Sequence, residues 1–242
     1  MRIGIYGGSF NPVHNGHLQV ARSAMSELAL DRLLVVPAAI NPFKAGKAGT
    51  SRFDRLLLAR LAFNGMAGVT VDDRELRRGG VSYSIDTVRE IAAENPGAEL
   101  FFIIGEDSLA GLPRWKNADE LSKLCTFKAF ERTRESSTEV RERLASGMPV
   151  DDLVPAAVAA FIAAEVRYND DAKTAAAVLS GLDRKGGYCP CRLPKTPEFF
   201  CPCDEFKSQL ADPEFHGLCH CRLFLKPRPP TFPGIEMKGS DS

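Results

Sequence analysis

With 242 residues, the chain has room for one large domain or for a medium domain plus a small appendage, and a 44% hydrophobic content suffices for an ordinary core. Lys+Arg and Asp+Glu balance at 31 each, which excludes a global basic field that would gather nucleic acid or anionic membrane, so any nucleotide binding has to be local. No apolar run approaches the roughly 20 residues of a membrane span, and Met1 leads straight into a strand-like segment; the sequence reads as a soluble, cytoplasmic protein with neither membrane nor nucleic acid as partner.

Short apolar, β-leaning runs (Ile3 to Tyr6, Leu33 to Val36, Val69 to Val71, Leu100 to Ile104, Phe127 to Phe130) alternate with segments whose apolar residues recur at three and four. That alternation predicts βαβ units. Ser51-Arg52-Phe53-Asp54 and Ser136-Ser137-Thr138-Glu139 fit the capping-box pattern, Ser84 can cap a helix through Val88 and Ile91, and Pro155 can open one through Phe161. The expected fold class is therefore α/β, a Rossmann-like doubly wound parallel sheet that binds ligands beyond the carboxyl ends of its strands. A polar linker, Tyr168-Asn169-Asp170-Asp171, precedes a short helix (Ala175 to Leu182), and the prolines beyond Pro227 lead into a poorly ordered tail, 228–242. The expected division is residues 1–166, 170–227 and 228–242.

The first strand runs into Gly7-Gly8-Ser9-Phe10-Asn11-Pro12-Val13-His14-Asn15-Gly16-His17, just as an amphipathic helix (Leu18, Ala21, Met25, Leu28) begins. Glycine lets backbone N–H groups approach an anion, and a helix N-terminus adds free donors and partial positive charge. His14 and His17 stand near one face of the first turn, so both imidazoles can donate to one phosphate. Only four histidines exist in the chain, and two of them are here.

This run resembles the HxGH nucleotidyltransferase superfamily. The order of Asn41-Pro42-Phe43-Lys44, Ser82-Tyr83-Ser84-Ile85-Asp86-Thr87, Gly105-Glu106-Asp107, Pro113-Arg114-Trp115 and Ser136-Ser137-Thr138-Glu139-Val140-Arg141 is similar to that in nicotinate-nucleotide adenylyltransferases, over residues 1 to about 165. The resemblance implies adenylyl transfer from ATP, with Mg²⁺, to a pyridine mononucleotide, giving deamido-NAD when the acceptor is nicotinate mononucleotide. It implies that Gly7, Gly8, Ser9, Phe10, His14, His17 and Lys44 surround the ATP phosphates. Ser137, Thr138 and Arg141 would then hold the departing pyrophosphate, and Gly105 and Asp107 the adenosine. Asn41, Tyr83, Ser84, Thr87 and Trp115 would form the acceptor site, Trp115 stacking on the pyridine. Ser84 stands where the family usually has threonine and Glu106 where it usually has alanine. The stretch between Phe127 and Ser136 is shorter than in the family, which leads one to expect a trimmed sheet edge and a displaced Arg141. Nicotinamide mononucleotide is the alternative acceptor, and a degenerate nucleotide-binding protein the alternative function. The chemistry itself needs in-line placement and charge neutralisation and no enzyme-bound intermediate.

Cys125 alone lies in the first 188 residues; the other six cysteines fall between 189 and 221 as three C-x-C pairs. In a cytosolic protein that density argues for metal or redox chemistry, and six exceed the four thiolates of one zinc or one cubane cluster. Gly187-Tyr188-Cys189-Pro190-Cys191-Arg192-Leu193, Cys201-Pro202-Cys203 and Cys219-His220-Cys221 resemble the catalytic chain of ferredoxin-thioredoxin reductase, with different loops between the pairs. That resemblance implies a small, mainly helical domain with a [4Fe–4S] cluster on Cys189, Cys201, Cys203 and Cys219. Cys191 and Cys221 would be the redox disulfide and His220 the proton donor beside it, with a ferredoxin and a thioredoxin-like protein as partners. A zinc knuckle that recruits a partner is the alternative. His216 reads as a loop residue and Cys125 as a buried small side chain. Co-occurrence in one chain suggests redox control of the nucleotide chemistry.

Overall fold

The computed structural model describes residues 1–44, 52–131, 133–163, 167–168, 171–185 and 188–226. The Ser51 cap, the linker residues Asn169 and Asp170, and the 228–242 tail lie outside the described residues. Two compact units divide after Ala159, where the sequence reading places the division at 166–170.

The first unit alternates as expected: β1 (Arg2–Gly8), α1 (Asn15–Glu27), β2 (Arg32–Pro37), α2 (Arg52–Phe63), β3 (Val69–Val71), α3 (Arg74–Arg78), α4 (Ser84–Glu94), β4 (Glu99–Gly105), α5 (Ala118–Leu124), β5 (Thr126–Phe130) and α6 (Ser137–Ala145). The five strands pair in parallel in the order β3-β2-β1-β4-β5. Parallel strands bury both faces, which is why their sequences are near-continuous apolar runs. One face, made of Ile3, Ile5, Leu34, Val36, Phe102 and their neighbours, packs against Ile85, Val88 and Ile91 of α4 and Leu121 of α5. Tyr6 points to the opposite side and meets Phe10 edge-on at 5.4 Å, and Phe10 in turn meets Phe63 of α2 at 6.3 Å.

The chain moves outward from β1 through β2 to β3, then returns to the other side of β1 as β4 and β5. The switch point falls between β1 and β4, and a crevice must open beyond their carboxyl ends, at Gly8 and Gly105.

A helix, α7 (Ala156–Ala163), follows Pro155, as the proline implied. In the second unit, β6 (Arg167–Tyr168), α8 (Ala172–Arg184), α9 (Asp204–Ala211), β7 (Gly217–Leu218) and β8 (Phe224–Lys226) follow in order. The helices dominate, as expected, but a small antiparallel sheet in the order β6-β8-β7 joins them. Strands of two or three residues carry too little alternation to stand out in a sequence. Phe224 stacks on Phe206 at 5.6 Å and meets Phe161 edge-on at 6.0 Å. Among the described residues no helix is long and apolar enough to cross a membrane.

Candidate active site

A cleft of about 1040 Å³ opens at the switch point. Its floor is the loop after β1. Phe10 there has φ of 45°, the left-handed region that an aromatic side chain rarely adopts, and the conformation is held by burial of its ring to 1% exposure between Tyr6, Phe63 and His17.

His14 is the N-cap of α1, with extended backbone, and His17 is the third residue of the helix. The His14 N–H donates to His17 Nδ1 at 3.1 Å. A backbone N–H can only donate, so His17 Nδ1 is the acceptor and the neutral ring carries its proton on Nε2. The two rings lie 3.8 Å apart by centroid and both line the cleft, so they can address one ligand group together. Gly16 between them is required by a close approach: a Cβ there would stand 1.8 Å from Thr133 Oγ1. The loop before α1 is tied down further by Asn15, whose N–H donates to Leu153 O at 2.8 Å.

Arg141 is not displaced by the short connection after β5. Its Nη1 donates to Asn11 O at 2.6 Å and its Nη2 to Thr138 Oγ1 at 3.1 Å, while Ser137 Oγ donates to Pro12 O at 2.8 Å. β5 is the edge of the sheet, and α6 follows it with Ser137 and Arg141 reaching back to the loop after β1. Thr133 and Arg134 of that segment line the cleft, as does Glu75; sequence reading had singled out none of the three.

Tyr83, Ser84, Trp115, Gly105 and Asp107 line the same cleft. Ser84 does not cap α4; it is the first helical residue, and Tyr83 occupies the cap position without a capping side chain. Asp86 N–H is taken by Tyr83 O at 3.1 Å, which leaves the amides of Ser84 and Ile85 to face an anion. Trp115 meets Phe102 and Phe127 edge-on, at 5.7 and 5.9 Å, which fixes the indole beside the cleft. Lys116 Nζ lies 4.3 Å from the Tyr83 ring centroid. Asn41 lines the cleft and donates from Nδ2 to Ser9 Oγ at 3.4 Å. Lys44 ends a short 3₁₀ turn, Pro42–Lys44, and its side chain lies outside what is described. Thr87 does not line the cleft: it is 1% exposed and its hydroxyl donates to Glu75 Oε1 at 2.5 Å.

Burial shapes the titration of this region. It pushes the Tyr6 phenol well above its usual range and raises the Glu75 carboxyl against the opposing hydrogen bonds from Thr87 and Ser82. It also lowers Arg55, on α2 beneath the loop. Cys125 is buried, its thiol pushed up to about 12 by desolvation, and it donates to Leu121 O at 3.4 Å, which agrees with a packing role.

In the second unit Cys189, Cys201, Cys203 and Cys219 are buried, Cys221 is half-buried and Cys191 is exposed. The sulfurs of Cys189, Cys191 and Cys221 all lie within 4.8 Å of one another, with 2.9 Å between the first two, and Cys219 Sγ is 3.5 Å from Cys221 Sγ. Coupling to Cys221 lowers the thiols of Cys189 and Cys219 towards the thiolate and raises that of Cys221. His220 is exposed in the turn between Cys219 and Cys221, and His216 is in the loop before β7. Among the described residues the three sulfurs that converge are those of Cys189, Cys191 and Cys221, so of the four expected cluster ligands only Cys189 stands in that group; soft thiol donors of this kind suit a thiophilic metal.

Comparison with known proteins covers the first unit. The chain is 37% identical over 198 residues to the "Probable nicotinate-nucleotide adenylyltransferase" of Gemmatimonas aurantiaca, covering 70% of this chain and 93% of that one. It is 38% identical over 188 residues to the protein of the same name from Shouchella clausii, covering 70% and 98%. The structure of Plasmodium falciparum nicotinic acid mononucleotide adenylyltransferase complexed with NaAD superposes with a TM-score of 0.56 at 17% identity, covering 67% of this chain and 94% of that one, and so shares its fold. The cytidylyltransferase-like family model matches residues 5–171, ending before the six clustered cysteines, and through this unit the chain belongs to the cytidylyltransferase-like family.

Proposed function

We propose that the first unit transfers the adenylyl group of MgATP to nicotinate mononucleotide, forming deamido-NAD and pyrophosphate. The observation that carries this reading is one cleft lined both by a two-histidine loop that Arg141 reaches and by an uncapped helix start together with Trp115. An acceptor phosphate oxygen attacks the α-phosphorus in line; the new P–O bond forms as the bond to the β-phosphate oxygen breaks, and pyrophosphate leaves with that electron pair. His17, donating from Nε2, and His14 offset charge growing on the phosphates, Arg141 holds the leaving group, and Lys44 adds a cation. No side chain becomes covalently bonded. The acceptor preference follows from charge: the free amides of Ser84 and Ile85 at the start of α4 suit the pyridine carboxylate better than a neutral carboxamide. The names of the relatives support the same acceptor.

The test is to incubate the chain with MgATP and each mononucleotide and to follow pyrophosphate. Release should be at least about tenfold faster with the nicotinate than with the nicotinamide compound at limiting acceptor. Equal rates would overturn the acceptor assignment, and no release with either would favour a degenerate nucleotide-binding protein.

For the second unit we infer a [4Fe–4S] cluster on Cys189, Cys201, Cys203 and Cys219, next to a Cys191/Cys221 dithiol. The cluster would supply electrons one at a time, while Cys191 and Cys221 exchange with a protein disulfide and His220 serves as proton donor. A ferredoxin and a thioredoxin-like protein are the corresponding partners. Support comes from the burial of all four proposed ligands and the approach of Cys191 and Cys221 to Cys189. Iron and acid-labile sulfide should both be present after anaerobic purification; stoichiometric zinc without sulfide would replace this reading with a zinc knuckle.

A further inference from the structure

Arg55 is buried to 7% exposure, yet among the described residues no carboxylate pairs with it. Its guanidinium bridges two backbone carbonyls instead. Nη1 donates to Ser9 O at 2.7 Å, in the loop after β1, and Nη2 donates to Ala39 O at 3.0 Å, just past β2. A planar fork with fixed donor directions can hold two acceptors at a set separation, which neither a lysine nor a neutral amide can do.

The chain of hydrogen bonds continues from there. Ala39 N–H donates to Ser82 Oγ at 2.9 Å, and Ser82 N–H donates to Ile40 O at 2.9 Å. Ser82 runs directly into Tyr83 and the first turn of α4, in which the Thr87 hydroxyl donates to Glu75 Oε1 at 2.5 Å. Ser82, Glu75 and Thr87 are all buried. Buried polar groups joined in series stiffen the segments that carry them, because breaking any link strands a desolvated partner. One end of this series is the phosphate loop at Ser9. Its other end is the first turn of α4, which carries Tyr83 and Ser84.

We propose that Arg55 is a positioning residue that fixes the phosphate loop and the acceptor-binding turn in one register, through Ala39 and Ser82. In-line attack demands that both substrates be held to within a fraction of an ångström, so loosening either end lowers the rate even though no reacting atom touches Arg55. The inference rests on the adenylyl-transfer reading for its kinetic consequence, but not for the binding one.

The experiment compares the full chain with Arg55→Lys, Arg55→Ala, Ser82→Ala and the Arg55→Lys/Ser82→Ala pair. Pyrophosphate release gives kcat and both KM values, calorimetry gives ATP affinity, and quenching of Trp115 gives acceptor affinity. Arg55→Ala should lower kcat about a hundredfold, with partial recovery when guanidinium ion is added. Arg55→Lys, which keeps the charge and most of the volume, should still lose at least about tenfold. Ser82→Ala should weaken ATP binding, although its hydroxyl lies on the acceptor side, and the double variant should depart from additivity. A fully active Arg55→Lys would overturn the proposal, as would additive effects or an ATP affinity unmoved by Ser82→Ala. If Arg55→Ala does not fold, the lysine and Ser82 variants decide. A parent chain that binds ATP but releases no pyrophosphate sinks the adenylyl-transfer reading, while the calorimetric comparison of parent and Ser82→Ala still upholds or overturns the register.

Discussion

The two units bury different things. In the first, the interior is aliphatic and aromatic, laid down by strands of up to seven residues, and the groups with chemistry (His14, His17, Arg141, Trp115) stand on its rim. In the second, strands run two or three residues, and four of the buried side chains are cysteines. A frame that stands without its reactive groups separates stability from activity, whereas a core made partly of thiols would join the two wherever those thiols hold the proposed metal, because ligation would then also be folding energy. Substitutions in the first unit should therefore change rates at little loss of structure, and substitutions in the second should change structure first.

The largest effect expected is in the second unit. Cys203→Ser in the full chain should lose bound metal altogether and expose the stretch from 160 to 226 to limited proteolysis, while residues 1–159 stay resistant. A variant that keeps full metal content and protection would remove Cys203 from the ligand set and break the contrast between the units.

Next comes His17→Ala, which should lower kcat by at least about a hundredfold with modest change in ATP affinity and in melting temperature, on the scale of losing one preorganised donor. A large fall in melting temperature with unchanged kcat would make the histidine part of the frame, against the division drawn above.

How much of this was readable from the chain differs between the same two units. The three central strands are visible as continuous apolar runs because they are buried on both faces, while the edge strands β3 and β5 show as shorter, partly exposed apolar segments. The loop after β1 stands out as a candidate site because glycines, a proline and two histidines at a helix start are a rare combination. Arg55, by contrast, is one arginine on an amphipathic helix, and nothing local distinguishes a guanidinium turned inward onto two carbonyls from one in water. Thr87 shows the converse: its place beside Ser84 suggested the acceptor site, but the residue faces inward and serves Glu75. That Arg141 still reaches the loop after β1 across the shortened segment before Ser136 is a long-range contact, to Asn11 O, which no local pattern in the sequence carries.

Trp115→Ala is smaller in effect and sharpens the boundary of the rim. The indole lines the cleft on one side and packs against Phe102 and Phe127 on the other, so its removal touches both function and frame. KM for the mononucleotide should rise about tenfold with kcat reduced less, and stability should fall because a partly buried aromatic is lost. Trp115→Phe should recover most of the stability and part of the affinity. If alanine leaves the acceptor KM unchanged, Trp115 belongs to the core alone.

The smallest effect expected tests whether the frame and the rim are separable at all. Ser136 Oγ accepts from Glu139 N–H at 3.1 Å and so caps α6, the helix that carries Ser137, Thr138 and Arg141. Removing that cap should destabilise by about 1 kcal/mol, which for a unit of this size lowers the melting temperature by roughly 2–4 °C. The exposed pairs of Arg143 with Glu139 and Asp152 contribute little and will not compensate. Because Arg141 lies in the second turn and reaches Asn11 O, fraying of the first turn should also raise KM for ATP, by about threefold or less. Ser136→Asp, another good cap, should restore both quantities together. Recovery of the melting temperature without recovery of KM would mean that the hydroxyl serves the ligand directly, and that at this helix start the frame and the rim share a residue.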